Sequence, residues 1–139
     1  MRTAKDIQLD VINLLKDSTL YREITGEVYR KGFRPRDSEQ EDIIVVFTTG
    51  TSGDIEEGVI TINIYVPDID PYINGVLVEN GPRCDVMEQL ASEWVEGLSL
   101  RKTPYRFKLK QTIYTEPEEE IKQHFIVVRL DYRIINNNL

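Results

Sequence analysis

Ile43-Ile44-Val45-Val46-Phe47-Thr48-Thr49, then Gly50-Thr51-Ser52-Gly53-Asp54, then Val59-Ile60-Thr61-Ile62-Asn63-Ile64-Tyr65-Val66: this stretch decides the fold. The first run is β-branched, short and bounded by charged and glycine-rich segments, which favours a buried strand over a helix. In the last run Ile60, Ile62, Ile64 and Val66 share one face, and Val59, Thr61, Asn63 and Tyr65 share the other. That is the period of two that a strand imposes. Two strands around a glycine-rich turn read as an antiparallel hairpin. Thr49-Gly50-Thr51-Ser52-Gly53 is therefore a turn and not a phosphate cradle, because a strand and not a helix follows it and no Gly-Lys-Ser/Thr occurs.

Working outward, Ile7, Val11, Leu14 and Leu15 recur at helical spacing and predict a helix over residues 3–16, closed by Asp17-Ser18-Thr19. Gly26 to Arg30 reads as a short edge strand, since Gly32 and Pro35 follow closely. After the hairpin, Pro67 to Gly81 is rich in Pro, Asn and Gly and reads as a loop, with a short extended piece at Val76 to Val78. Pro82 opens a second helix, in which Val86, Met87, Leu90, Trp94 and Val95 repeat at three and four residues until Gly97. Tyr105, Phe107, Leu109 and Ile113 then alternate with Arg106, Lys108 and Lys110, and a closing strand alternates through Ile126, Val128, Leu130, Tyr132 and Ile134. Glu116-Pro117-Glu118-Glu119-Glu120, between these two, reads as a solvated hairpin tip. The expected fold is one α+β domain over residues 1–139: an antiparallel or mixed sheet of about five strands, with two helices packed on one face.

The 139 residues, 40% of them hydrophobic, suffice for one core without disulfide or metal staples. A single cysteine, Cys84, makes no intrachain disulfide, and a reducing cytoplasm is the expected compartment. The longest apolar runs, Ile43 to Phe47 and Phe125 to Val128, are far short of the roughly 20 residues of a membrane span. The net charge of −7 conceals a segregation: residues 1–36 carry +3, residues 37–96 carry −13 with Arg83 as their one cation, and residues 97–139 carry +3. An acidic chain of this kind is not a general duplex binder, which needs a net basic face. Segregated charge suits surfaces that recognise one another.

Candidate chemistry is sparse. His124 shares the alternation of Ile126 and Val128 and reads as a core or sheet-rim residue. Cys84, in the first turn of the second helix, is placed where a thiol pKa can fall, yet no base is in evidence beside it and it reads as a packing residue. Asp68, Asp70, Asn74 and Glu79 fit part of a calcium-loop register, but Ile73 stands where that register wants glycine. No catalytic, cofactor or metal residue is assigned. The stronger pattern is the cationic stripe Arg106, Lys108 and Lys110, joined by Arg101, Lys102, Arg129 and Arg133, set against the acidic hairpin tip Asp54, Glu56 and Glu57. A solvated sheet face and a solvated tip are the plain readings of these two groups; the functional reading is an interface in which the stripe meets the acidic region of another subunit, ahead of a contact with nucleic acid.

Taken together, the N-terminal helix, the Gly26-Glu27-Val28-Tyr29 strand with Pro35 after it, the Ile44-Val45-Val46-Phe47 core strand and the long hairpin into Val59 to Val66 make a pattern. With the helix around Met87-Glu88-Gln89-Leu90 and the closing strand from Ile121 to Arg133, the chain resembles the tail terminator, or tail-completion, proteins of long-tailed bacteriophages and prophages. The resemblance implies a non-catalytic ring, hexameric in that family, that caps the tail tube and joins it to the head. It implies partners of three kinds: other copies of the chain, tail-tube and head-completion proteins, and DNA only in passage. It places the protein in the host cytoplasm during assembly and then in the virion tail. The loop from Asp68 to Gly81 is longer than the family pattern, which leaves a neighbouring head–tail connector role open, as well as a small binding module unrelated to phage.

Overall fold

The hairpin at the centre of the sequence is also the centre of the sheet. The structure is a computed structural model, and it describes residues 1–135. Strand β2 (Ile43–Thr51) pairs antiparallel with β3 (Glu56–Pro67), and an extra residue at Thr48 makes a bulge between the Phe47 and Thr49 pairs. Past the bulge, Gly50 faces Gly58, and the Tyr132 hydroxyl lies where side chains at both would stand. A Cβ at Gly58 would sit 2.6 Å from the Gly50 Cα, so the aromatic ring of Tyr132 fills the space that two glycines leave.

Helix α1 (Ala4–Lys16) starts at a reciprocal cap, in which the Thr3 hydroxyl accepts the Asp6 amide and the Asp6 carboxylate accepts the Thr3 amide. The Asp17-Ser18-Thr19 cluster does more than end it. Ser18 caps a second, five-residue helix, α2 (Thr19–Glu23), that apolar periodicity does not reveal because one turn is too short to show a period. Strand β1 is only Val28–Arg30 and runs parallel to β2, which makes the sheet mixed. Helix α3 (Gly81–Gly97) follows the long loop, with Pro82 in its first turn and Asn80 as cap.

The sheet has six strands, one more than expected, because the segment after α3 breaks into β4 (Tyr105–Leu109) and β5 (Tyr114–Glu118). Both lie end to end along one edge of β6 (Gln123–Ile134), whose other edge pairs with β3 along its whole length. Tyr-Thr-Glu-Pro-Glu carries no apolar alternation; β5 is a strand because the long β6 offers it a ladder. The turn accordingly moves on to a short 3-10 helix, Glu119–Ile121, and to Lys122 in the left-handed region (φ 56°). The strand order is β1-β2-β3-β6-β4, with β5 beside β6.

α1 and α3 pack on the same face of this sheet, as expected. Ile62, Ile64, Ile126, Val128 and Leu130 are fully buried beneath Val11, Leu15, Met87 and Ala91. The Trp94 indole joins the two helices, its Nε1 donating to the Leu14 carbonyl at 3.3 Å. Arg83, the one cation of residues 37–96, makes a forked contact with Glu41 (Nε–Oε2 2.6 Å, Nη2–Oε1 2.8 Å) and reaches Glu23 at 3.0 Å. It ties α3 to the end of α2 and to the segment entering β2.

Candidate functional site

Among the described residues no helix covers the other face of the sheet, and register assigns its side chains row by row. At one end Glu57, Arg133 and Arg106 stand side by side across β3, β6 and β4. The next row is Val59, Asp131 and Lys108, and the row after it begins with Thr61 and Arg129. Midway, Asn63, Val127 and Tyr114 align, followed by Tyr65, Phe125 and Glu116. The Tyr65 and Phe125 rings stack with centroids 5.1 Å apart. The Asn63 Oδ1 is buried in this apolar middle and has no hydrogen-bond partner among the described residues, a loss worth about 1–3 kcal/mol when uncompensated.

The expected cationic stripe is thus real but not uniform. Arg106 and Lys108 are exposed on this face, whereas Lys110 lies beyond the end of β4 and pairs with Asp131 at 3.4 Å. Arg106 is partly spent on its own backbone, donating to the Thr103 and Tyr105 carbonyls. Arg101 is turned toward α1 and pairs with Asp17 at 2.9 Å.

The acidic hairpin tip needs a larger correction. Glu56 is not a solvated tip residue: it is 6% exposed at the start of β3 and accepts the Arg2 amide at 3.0 Å. Asp54 and Glu57 are exposed, but Glu57 shares a row with Arg133 and Arg106 of the same chain. The two groups expected to meet across subunits therefore lie at one end of one molecule. Linear spacing hides this, because β6 alone brings residues 57, 106 and 133 into line.

At the opposite end of the face, a buried polar cluster was not foreseen from the sequence. The Arg34 guanidinium lies 4.3 Å from the Tyr65 ring and pairs with Asp42 at 2.8 Å, with side-chain exposures of 9% and 1%. It also donates to Gln123 Oε1, while Gln123 donates to the Ser38 carbonyl and the Ser38 hydroxyl bonds Asp42. This network holds residues 31–42 down over the end of the sheet. Beside it a groove of about 400 Å³ runs between Pro35, Ile44, Tyr65 and Ile121.

The loop at that same end is ordered by its own polar groups. His124 Nδ1 sits 2.7 Å from Asp68 and its Nε2 3.8 Å from Glu79, so one imidazole holds both ends of the loop. His124 is a sheet-rim residue. The oxygens of the partial calcium register are occupied: Asp70 accepts the Asn74 and Gly75 amides, and Asn74 accepts that of Val76. Ile69 and Val78 close the base through two backbone bonds, which is what remains of the extended piece expected at 76–78. No three metal-ligating side chains gather anywhere among the described residues.

Cys84 departs from expectation in its chemistry. Burial, and then the charge of Glu79, Glu88 and Asp68, outweigh its place in a first helical turn and push the thiol up to about 12. The folded protein is expected to resist alkylation at mildly alkaline pH and to react fully once unfolded, as thiol titration in the presence and absence of denaturant will show. At neutral pH the thiol stays protonated in both the folded and the unfolded chain; as pH rises from the ordinary thiol range toward about 12 the unfolded chain ionises first, and stability falls.

No helix among the described residues is long and apolar enough to cross a membrane. Compared with protein-family models and with curated protein sequences, the chain matches none.

Proposed function

We propose that this protein is a structural subunit that assembles with copies of itself into a ring, as the tail terminators it resembles do, and that it closes a phage or prophage tail tube at the head–tail junction. The observation that carries the proposal is the uncovered face of the sheet. An apolar middle containing an orphaned asparagine oxygen lies between a cationic end and an end where carboxylates gather. A surface with buried unpaired polarity and segregated charge gains most when another protein covers it. The net charge of −7 per subunit suits a ring that lets DNA pass without holding it.

Native mass spectrometry and negative-stain microscopy at high protein concentration and low ionic strength test the proposal. A discrete ring, six copies by analogy with the family, is the expected result, and it should dissociate as salt is added. A strict monomer under those conditions counts against the ring and favours a stand-alone binding module. The long loop of residues 68–80 favours the head–tail connector role as the second reading; capping of isolated tail tubes by the purified protein would decide for the terminator.

A further inference from the structure

Resting on the self-assembly just proposed, we infer that subunits join head to tail, the loop of residues 68–80 of one copy seating on the cationic end of the next. The loop is a rigid projection with an apolar tip. Tyr72 is 76% exposed and Ile73 91%, and Ile73 is held at φ 53°, a left-handed conformation that a β-branched side chain rarely adopts. Two backbone bonds at the base, the Asp70 and Asn74 turns and the His124 clamp keep this conformation in place. Ordering a loop so as to present an isoleucine to water is unfavourable unless something covers it.

Charge selects the occupant. The loop carries Asp68, Asp70 and Glu79 and no Lys or Arg, so its natural counterpart is cationic with an apolar element. The far end of the same molecule has both. Leu100 is 86% exposed and Lys102 is exposed in the segment that leads into β4, and within β4 Arg106 and Lys108 stand in the rows of Arg133 and Asp131. Lys102, Lys108 and Arg133 make no ion pair among the described residues. Loop and cationic end sit at opposite ends of β6, roughly 36 Å apart for a strand of this length. A contact between two different patches at opposite ends is heterologous, and heterologous contacts either close into rings or run on as filaments. The loop that departs from the family pattern thereby acquires a role in assembly.

Two full-length variants test this. The first carries Tyr72→Ser with Ile73→Gly, which removes the tip while relieving the backbone at residue 73. The second carries Lys108→Glu with Arg133→Glu, both exposed. Each is expected to melt within a few degrees of the parent and, alone, to sediment as a monomer with association weakened about tenfold or more. Mixed in equal amounts, they should form a dimer and nothing larger, because only one intact loop and one intact cationic end remain to meet. If the parent is a ring and the loop variant still forms it, the loop contact is wrong while the ring stands. If the mixture yields no dimer, the two surfaces do not meet and the inference falls. A parent that stays monomeric in the same experiment overturns the ring and the contact together.

Discussion

Asp42→Ala is expected to destabilise the protein by about 3–5 kcal/mol, because it leaves the Arg34 guanidinium buried without its counter-charge. The side chain it removes accepts the Arg34 Nε, the Ser38 hydroxyl and the Glu27 amide, so one carboxylate holds the covering loop and also helps to hold β1 beside β2. Urea denaturation followed by circular dichroism measures the loss. Arg34→Leu combined with Asp42→Ala should cost less than Asp42→Ala alone, since no unpaired charge then remains inside. A single variant within about 1 kcal/mol of the parent would mean that water reaches Arg34 freely and that the loop does not seal this end of the sheet.

Trp94→Ala should cost a comparable 3–5 kcal/mol through a different cause, the cavity left by the largest side chain between the helices. Trp94 is 8% exposed and packs over the same core as Leu15 and Leu20, and its Nε1 satisfies the Leu14 carbonyl. A cleft of about 250 Å³ already lies beside it between α2 and α3, lined by Leu20, Leu90 and Leu98. Removing the indole would join the new void to this cleft, so water entry and not collapse is the expected response. Because Trp94 is the only tryptophan, the transition has to be followed by circular dichroism and not by indole fluorescence. Trp94→Phe, which keeps most of the ring, should recover more than half of the loss.

Wherever a pattern is local, the chain announces it. The alternation of Ile60, Ile62, Ile64 and Val66 assigns the core face of β3. The helical spacing around Val11 and around Met87 assigns the two helices that cover that face, and together these give the α+β class. Such signals are legible because strand and helix periods are set by backbone geometry, and because burial of one face is the largest favourable term in folding.

Other features belong to pairing over distance. Tyr114–Glu118 is a strand only because β6 is long enough to hold two partners on one edge, and Glu56 is buried only because β3 begins three residues earlier than its apolar run suggests. Cationic and acidic segments that look like opposite surfaces in the sequence turn out to share a row, Glu57 beside Arg133 beside Arg106, while the acidic loop of residues 68–80 lies at the other end. Arg34, Asp42 and Gln123 lie up to 89 positions apart in the chain and carry no motif, yet they form the best-buried polar cluster on the open face. Charge has no periodicity of its own: its meaning depends on which strands lie side by side, and a sheet register is decided by the tertiary fold. The sequence by itself determined the layers and the core face; the tertiary structure decided which charges are spent within the chain and which remain to meet another.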